Sequence, residues 1–274
     1  SGNNLYDLYK SAYTPFEWHK ELFSYAKEIG ITIFSSPFDE TAVDLLDSLN
    51  VPAYKVASFE IIDHPLIEYI AKKNKPIILS TGMASINEIS EAIETIKKVN
   101  NNLDVMLLHC ISSYPTTAAE SNLNNILTLK KEFNVEVGLS DHTTDNLAAI
   151  VAIGIGAVAI EKHFKLDDQD CGPDSSFSLN IQELSKFIID CKEAWRSKGM
   201  FEFQRSKYEK KNTVFRRSLY FINDLKKGST ISEKDIKRIR PGYGLPPKFY
   251  KSIIGKKLSK DVERGDPVIW DVLI

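Results

Sequence analysis

The chain repeats one pattern six times: a short apolar run rich in β-branched residues, then small polar residues, then a segment with helical spacing. The apolar runs lie at residues 31–34, 53–57, 76–79, 105–110, 135–137 and 157–160. Between two of them, isoleucines at Ile89, Ile93 and Ile96 recur at helical spacing. Strands alternating with helices of this length are typical of a parallel α/β fold. In such folds the functional side chains gather at the carboxyl ends of the strands.

The number of strands restricts the architecture further. A (β/α)₈ barrel needs eight strands, and six are found. A helix precedes the first of them, with Thr14 as N-cap, Pro15 in the first turn, Glu17 completing a capping box and Gly30 at its end. The alternatives are a six-stranded open sheet and a TIM-type (β/α)₈ barrel that lacks its first two strands. We favour the barrel.

The pattern changes near Met200, after a long helix predicted from Ile181 to about Trp195. Polar sequence follows, then strand-like pieces at residues 218–222 and 267–269, with tight turns at 226–228 and 263–266. We therefore predict a barrel domain over residues 1–200 that is incomplete at its N-terminal side, a linker over 201–213, and a small, mostly β domain over 214–274.

Two histidines mark the ends of neighbouring predicted strands. His142 closes the motif Gly-Leu-Ser-Asp-His at residues 138–142, and His163 lies in Glu-Lys-His-Phe at 161–164. Because these strand ends converge in a parallel sheet, the two imidazoles are candidate ligands of one metal ion. A histidine at a strand end can also be a hydrogen-bonded structural residue. Imidazole with oxygen ligands suits Mn²⁺, Mg²⁺, Fe²⁺ or Zn²⁺, and the residues alone do not choose.

Lys55 lies inside the apolar strand at residues 53–57. A lysine that points into a barrel is costly unless it meets an anion, whereas a lysine on an edge strand faces solvent. Hydroxyl side chains occur at the ends of four strands, at Ser36, Ser58, Ser80 and Ser140. Together with Lys55 they form a candidate phosphate site.

Three further residues are predicted to line the same face from loops, namely Glu60, Tyr114 and Asp174. Each has a structural alternative as a cap, a packed ring or a turn residue.

Composition excludes several functional classes. The formal net charge of −2 over 274 residues gives no reason to expect nucleic-acid or membrane-surface binding. No transmembrane-length apolar stretch or signal peptide is found, which predicts a cytoplasmic protein. The three cysteines, Cys110, Cys171 and Cys191, are odd in number and have no Cys-x-x-Cys spacing, so neither a disulfide framework nor a cysteine-rich zinc site is expected.

Taken in order, these motifs resemble the sialic acid synthase family. The resemblance rests on Lys55 with Ser58 and Glu60, Ser-Thr-Gly-Met at 80–83, His-Cys at 109–110 with Tyr-Pro at 114–115, the two histidine motifs, and Gly-Pro-Asp at 172–174. Residues 240–244 (Arg-Pro-Gly-Tyr-Gly) resemble the family's C-terminal SAF, or antifreeze-like, domain. The resemblance extends over essentially the whole chain. Family members begin with two strands that are not found here, which agrees with the count of six.

Within the family, residues 13–19, 57–60, 174–179 and 244–250 look most like the pseudaminic acid synthase branch. Sialic acid synthases typically carry asparagine where Ser112 stands and glycine where Ala57 stands. This resemblance implies that phosphoenolpyruvate condenses with 2,4-diacetamido-2,4,6-trideoxy-altrose, releasing phosphate. N-acetylneuraminate and legionaminate synthases are the alternatives within the family.

The resemblance also implies a set of roles. His142 and His163 hold a divalent metal, expected to be Mn²⁺ or Mg²⁺, that polarises the aldehyde of the open-chain sugar. Lys55 and Glu60 act beside them; Ser36, Ser58, Ser80, Ser112 and Ser140 contribute to substrate binding, and Tyr114 and Asp174 orient the sugar. In the family the SAF domain of one subunit covers the barrel of the other, so a domain-swapped homodimer is expected, with Arg240 reaching the acceptor.

Two readings from other classes stay open at this stage. A metal-dependent aldolase or hydrolase on the same barrel also uses histidines at strand ends, but it does not need Lys55 with four serines. A truncated relative that binds sugar or serves as a scaffold, without activity, agrees with the strand count but does not need the complete set of motifs.

Overall fold

The computed structural model describes residues 5–166, 172–200 and 202–274. Cys171 lies outside these residues. The chain divides into two compact units, the first ending at Gly199 and the second beginning at Met200. Within the described part of the chain, no helix is both long and apolar enough to cross a membrane.

The first unit contains eight helices and five strands among its described residues. The helices are α1 (Leu5–Ala12), α2 (Phe16–Glu28), α3 (Glu40–Ser48), α4 (His64–Ala71), α5 (Ile86–Val99), α6 (Asn125–Phe133), α7 (Leu147–Ile155) and α8 (Ile181–Ser197). The strands are β1 (Tyr54–Val56), β2 (Ile77–Ser80), β3 (Val105–Cys110), β4 (Glu136–Asp141) and β5 (Ile160–Lys162). All five strands are parallel and neighbour each other in chain order, with one helix in each crossover.

The outer face of this sheet is mostly apolar, because the alternate side chains that point toward the helices are largely aliphatic. Leu79, Leu107 and Val137 are fully buried there and belong to one core with Ile96 of α5 and Ile126 of α6. Each such side chain contributes roughly 1.5–3 kcal/mol through its removal from water. Packing against this helix layer holds the strands in place, and with them the residues at their carboxyl ends.

The inner face carries several polar residues. The strand registers place Lys55, Ser80, Cys110, Ser140 and Glu161 on this same face. Lys55 lies on β1 and Glu161 on β5, at opposite edges of the sheet, yet their side chains are 3.6 Å apart. Four strand spacings of about 4.8 Å would separate these strands by about 19 Å in a flat sheet. The sheet is therefore curled like part of a barrel, with Lys55 inside.

Two predictions about the start of the first unit are wrong. Residues 31–34 form no strand: Ser35 O accepts one hydrogen bond from Lys55 N at 3.4 Å, but no ladder forms, and Ile31 and Phe34 are exposed. The N-cap of α2 is Pro15 without a side-chain hydrogen bond, so Thr14 and Glu17 build no capping box. The helix begins too late for Glu17 to occupy the third position that the box requires.

The second unit holds α9 (Lys207–Asn212), α10 (Tyr250–Ile253) and an antiparallel pair, β6 (Ser218–Phe221) and β7 (Ile236–Ile239). Its core contains Leu219, Phe221 and Val268. The strand predicted at 267–269 is reduced to a bridge between Tyr220 and Pro267. Proline has no N–H to continue a ladder, and a 3₁₀ turn begins at Trp270. The two predicted tight turns are confirmed, with Gly228 at φ 83° and Gly265 at φ 102°.

Candidate active site

The two histidines meet at the carboxyl ends of β4 and β5. Their ring centroids are 5.2 Å apart. His142 Nδ1 lies 3.0 Å from Ile111 O, and His163 Nδ1 lies 3.3 Å from Asp174 Oδ2. A hydrogen-bond partner on Nδ1 orients an imidazole and leaves its Nε2 available to a ligand.

The two rings differ in their electrostatic environment. Burial lowers the pKa of His142, but hydrogen bonds with Cys110 and with the carbonyl of Ile111 outweigh this effect and raise the pKa above its ordinary value. Burial lowers the pKa of His163, and the nearby charge of His142 lowers it further. As the pH falls, the His163 ring therefore stays neutral after the His142 ring has become protonated.

Aromatic side chains pack around this pair. The Tyr114 ring lies 4.3 Å from the His142 ring, and Phe177 lies 5.0 Å from the His163 ring and 5.3 Å from Tyr114. Tyr114 was predicted at this site from the sequence, and Phe177 was not. A phenylalanine in a loop carries no chemical signature, so only the fold identifies it.

Lys55 and Ser140 are joined through one carboxylate. Glu161 Oε2 lies 3.6 Å from Lys55 Nζ, and Glu161 Oε1 accepts a hydrogen bond of 2.6 Å from Ser140 Oγ. Lys55 is buried and also donates to Val56 O at 3.3 Å. Sequence reasoning placed Glu161 next to His163 but did not select it as a site residue. Its link to Lys55 depends on the curvature of the sheet.

Two hydroxyl groups near these strand ends are buried without a hydrogen-bond partner in the described structure, Ser80 Oγ and Ser112 Oγ. Ser58 Oγ is occupied, since it accepts from Gly82 N at 3.1 Å and donates to Cys110 Sγ at 3.5 Å. A Cβ on Gly82 would lie 2.2 Å from Ser112 Oγ and 2.7 Å from Ser58 Oγ. Glycine therefore allows these serines to approach the backbone after β2. Buried hydroxyls without partners are uncommon and are expected where a ligand supplies the missing bonds.

Glu60 lies in the 3₁₀ turn Ser58–Ile62 that follows β1. Its Oε2 is buried and has no hydrogen-bond partner among the described residues. Burial raises the pKa of this carboxyl above its ordinary value. A carboxyl group in this environment keeps its proton to higher pH and can donate a hydrogen bond.

Two further predicted site residues are Ser36 and Arg240. Ser36 lines a separate cavity of about 470 Å³ together with Tyr13, His19 and Phe38. Arg240 follows β7 in the second unit and is exposed. The loop after it is held by Ser218 Oγ, which donates to Pro241 O at 2.7 Å and accepts from Gly244 N at 2.9 Å.

Comparison with known proteins decides the family. Residues 1–202 match the model of the NeuB family, and residues 216–274 match the SAF domain. The chain belongs to the NeuB family. It is 45% identical over 262 residues to a pseudaminic acid synthase of Campylobacter jejuni, covering 96% of this chain and 76% of that protein. It is 36% identical to an N,N'-diacetyllegionaminic acid synthase of Legionella pneumophila, covering 97% and 76%.

A solved structure agrees with this membership. The N-acetylneuraminic acid (sialic acid) synthetase of Leptospira borgpetersenii superimposes with a TM-score of 0.72 at 30% identity, covering 77% of this chain and 74% of that one. The predicted fold class, a TIM-like parallel sheet with helices followed by a SAF domain, is confirmed. The prediction that this NeuB-family chain is a nonulosonic acid synthase is confirmed by the same relatives.

The imidazoles of His142 and His163 are suitable ligands for a divalent metal. Each imidazole has its Nδ1 engaged by a carbonyl or a carboxylate, the usual support for a ligating histidine. Among the described residues, no group of three or more His, Cys, Asp or Glu side chains could hold a metal ion. The two imidazoles are thus the candidate protein ligands, and water or substrate oxygen would occupy the remaining coordination positions of the metal.

Proposed function

We propose that this chain is a pseudaminic acid synthase, which condenses phosphoenolpyruvate with 2,4-diacetamido-2,4,6-trideoxy-altrose and releases phosphate. The 45% identity to the C. jejuni enzyme supports this assignment over that of a legionaminic acid synthase, to which the identity is 36%. Phosphoenolpyruvate is an intermediate of central metabolism, so the location we propose is the cytoplasm.

The observation that carries the proposal is the polar inner face of the sheet. It offers the buried ammonium of Lys55 and, at neighbouring strand ends, the hydroxyls of Ser80 and Ser112 that lack partners within the described structure. Phosphoenolpyruvate carries a phosphate and a carboxylate, and their oxygens can accept hydrogen bonds from these donors. Glu161 and Ser140 fix the position of Lys55, and Ser58 fixes the loop at Gly82.

The reaction joins carbon 3 of phosphoenolpyruvate to the aldehyde carbon of the sugar. Water then adds at carbon 2, and the bond from carbon 2 to the phosphate oxygen breaks, releasing inorganic phosphate. Lys55 and the serine hydroxyls bind the charges of phosphoenolpyruvate and hold it in place for attack. Ser36 stays a predicted substrate-binding residue in this proposal, and the residue before it, Ser35, accepts a hydrogen bond from Lys55 N at 3.4 Å.

His142 and His163 would hold Mn²⁺ or Mg²⁺, which supplies Lewis-acid polarisation of the aldehyde oxygen. Asp174 orients the His163 ring through Nδ1, and in this proposal it also contacts the acceptor sugar. Tyr114 packs against both rings and excludes water from them. Glu60, with its raised pKa, donates a hydrogen bond to a sugar oxygen while it is protonated.

The second unit completes the site in a domain-swapped homodimer, in which Arg240 reaches the acceptor bound by the other subunit. Charge supports this arrangement. The first unit carries 28 acidic and 17 basic residues, and the second carries 9 acidic and 18 basic residues. Oppositely charged units attract each other and orient the encounter.

The test is phosphate release from phosphoenolpyruvate with three acceptors. These are 2,4-diacetamido-2,4,6-trideoxy-altrose, the corresponding mannose-configured sugar and N-acetylmannosamine. We expect kcat/KM to be highest with the altrose. A preference for the mannose-configured sugar would reassign the chain to legionaminic acid synthesis. A preference for N-acetylmannosamine would reassign it to N-acetylneuraminate synthesis.

A further inference from the structure

We propose that the ion pair of Asp141 and Lys162 is a positioning device, which holds the imidazoles of His142 and His163 at the separation that a shared metal ion needs. The proposal rests on the proposed function in taking these two imidazoles as metal ligands. It assigns a role to two residues that do not themselves face the site.

The pair lies directly behind the histidines. Lys162 Nζ is 2.8 Å from Asp141 Oδ2, and the side chains are only 3% and 1% exposed. Asp141 and Lys162 are register partners and the last residues of β4 and β5. Since Ser140 and Glu161 point to the inner face, Asp141 and Lys162 point to the outer face. Lys162 Nζ accordingly lies 5.8 Å from the ring of Phe187 on α8.

The same two residues fix the backbone around His142. Asp141 Oδ1 accepts hydrogen bonds from Thr143 N at 2.9 Å and from Thr143 Oγ1 at 2.8 Å. Lys162 Nζ also donates to Thr143 O. The residues on both sides of His142 are thereby tied to the residue that precedes His163. The carbonyl of His142 accepts from Thr116 N at 3.0 Å, which fixes the segment from the other side.

The position of the pair explains why a buried charge is tolerated here. The registered pairing of β4 with β5 spans three residue pairs and ends at Asp141 and Lys162. The histidines come one residue later, beyond this ladder. A buried ion pair is no better for stability than well-packed apolar residues, but its directional bonds define one geometry. Here those bonds define the spacing between the segment that carries His142 and the segment that carries His163.

The experiment measures Mn²⁺ binding to the full chain by electron paramagnetic resonance, without substrate. The main variant is the double substitution Asp141→Leu with Lys162→Met, which replaces the charges with apolar side chains. Thr143→Val is the milder variant, because it removes one hydroxyl from the cluster. Lys186→Met is the matched control, since it breaks the exposed ion pair of Lys186 with Asp190 on α8.

We expect the double variant to bind Mn²⁺ at least about tenfold more weakly, as substitutions behind metal ligands commonly do. Its melting temperature should stay near that of the wild type, and the KM for phosphoenolpyruvate should not change. Thr143→Val should weaken Mn²⁺ binding about fivefold, the equivalent of one hydrogen bond. Lys186→Met should bind as the wild type does.

Wild-type Mn²⁺ affinity in the double variant would overturn the proposal, because a purely structural pair would be replaced by apolar packing without loss. If the double variant does not fold, Thr143→Val decides in the same way. Absence of Mn²⁺ binding by the wild type would instead refute the metal site of the proposed function, and this inference with it.

Discussion

Lys55 and Glu161 form an ion pair of 3.6 Å between the two edge strands of the parallel sheet. The contact exists because the sheet curls until its first and last strands face each other across the interior. It places a buried ammonium on the polar face, and Ser140 Oγ donates a hydrogen bond of 2.6 Å to the same carboxylate. The anion site proposed for this chain depends on that relationship.

Glu161→Gln should weaken phosphoenolpyruvate binding. The amide keeps a hydrogen-bond acceptor for Ser140 but removes the charge that fixes Lys55. Hydrogen bonds to charged groups contribute about 1.5–3 kcal/mol, so kcat/KM should fall about tenfold to hundredfold. Steady-state phosphate release measures this change. Glu68→Gln is the control, because Glu68 pairs with Lys72 on the exposed face of α4, and it should leave the rate unaltered.

Ser80→Ala should weaken the binding of phosphoenolpyruvate without lowering the stability of the fold. The hydroxyl of Ser80 is buried and has no hydrogen-bond partner within the described structure, so its removal should leave the melting temperature equal or higher. The KM for phosphoenolpyruvate should rise about fivefold, since one hydrogen bond to the ligand is lost. A lower melting temperature with an unchanged KM would show that the hydroxyl has a structural role instead.

Gly82→Ala should disrupt the loop after β2. The new Cβ would lie 2.2 Å from Ser112 Oγ and 2.7 Å from Ser58 Oγ, so both hydroxyls must move. We expect a loss of activity of at least about tenfold, because substrate-binding groups are displaced. Gly154→Ala is the matched control: no atom lies within 4 Å of its Cβ, and alanine should stabilise α7 by up to about 1 kcal/mol. Equal activities of the two variants would contradict the close packing at Gly82.

His109 should make stability depend on pH. Burial lowers the pKa of this imidazole below its ordinary value, while its Nε2 lies 2.8 Å from Ser121 O. As pH falls below about 6.5, the unfolded chain binds a proton that the folded chain resists, so the free energy of unfolding decreases. Above that pH the contribution of neutral His109 is fully present. Urea titrations at pH 7.5 and 5.5 should show a smaller decrease in His109→Gln than in the wild type, and an identical decrease would refute this assignment.

Much of the fold follows from local patterns. The five strands that precede polar clusters were predicted because their apolar runs are continuous and end at turn residues. The failure at residues 31–34 has a physical cause: an apolar run becomes a strand only where a neighbouring strand offers a ladder, and one bond to Lys55 does not. Helix α1 and strand β7 were missed, the latter because Lys237 and Arg238 interrupt its apolar pattern.

The site was predictable in part, for the same kind of reason. His142, His163 and Lys55 show a functional role through residue type and position in a strand. Glu161 does not, because its partner Lys55 is 106 residues away in the chain and meets it only through the curvature of the sheet. The pairing of Asp141 with Lys162 and the proximity of Asp174 to His163 likewise depend on register and loop path.

The most direct test compares two lysine variants in acceptor-dependent phosphate release from phosphoenolpyruvate with Mn²⁺ present. Lys55→Met removes the buried ammonium of the inner face, and Lys73→Met removes a lysine paired with Asp44 outside it. The anion site proposed at Lys55 predicts that release requires the sugar acceptor, falls at least about hundredfold in Lys55→Met, and stays at the wild-type rate in Lys73→Met. Release without an acceptor, or equal rates in the two variants, would contradict it.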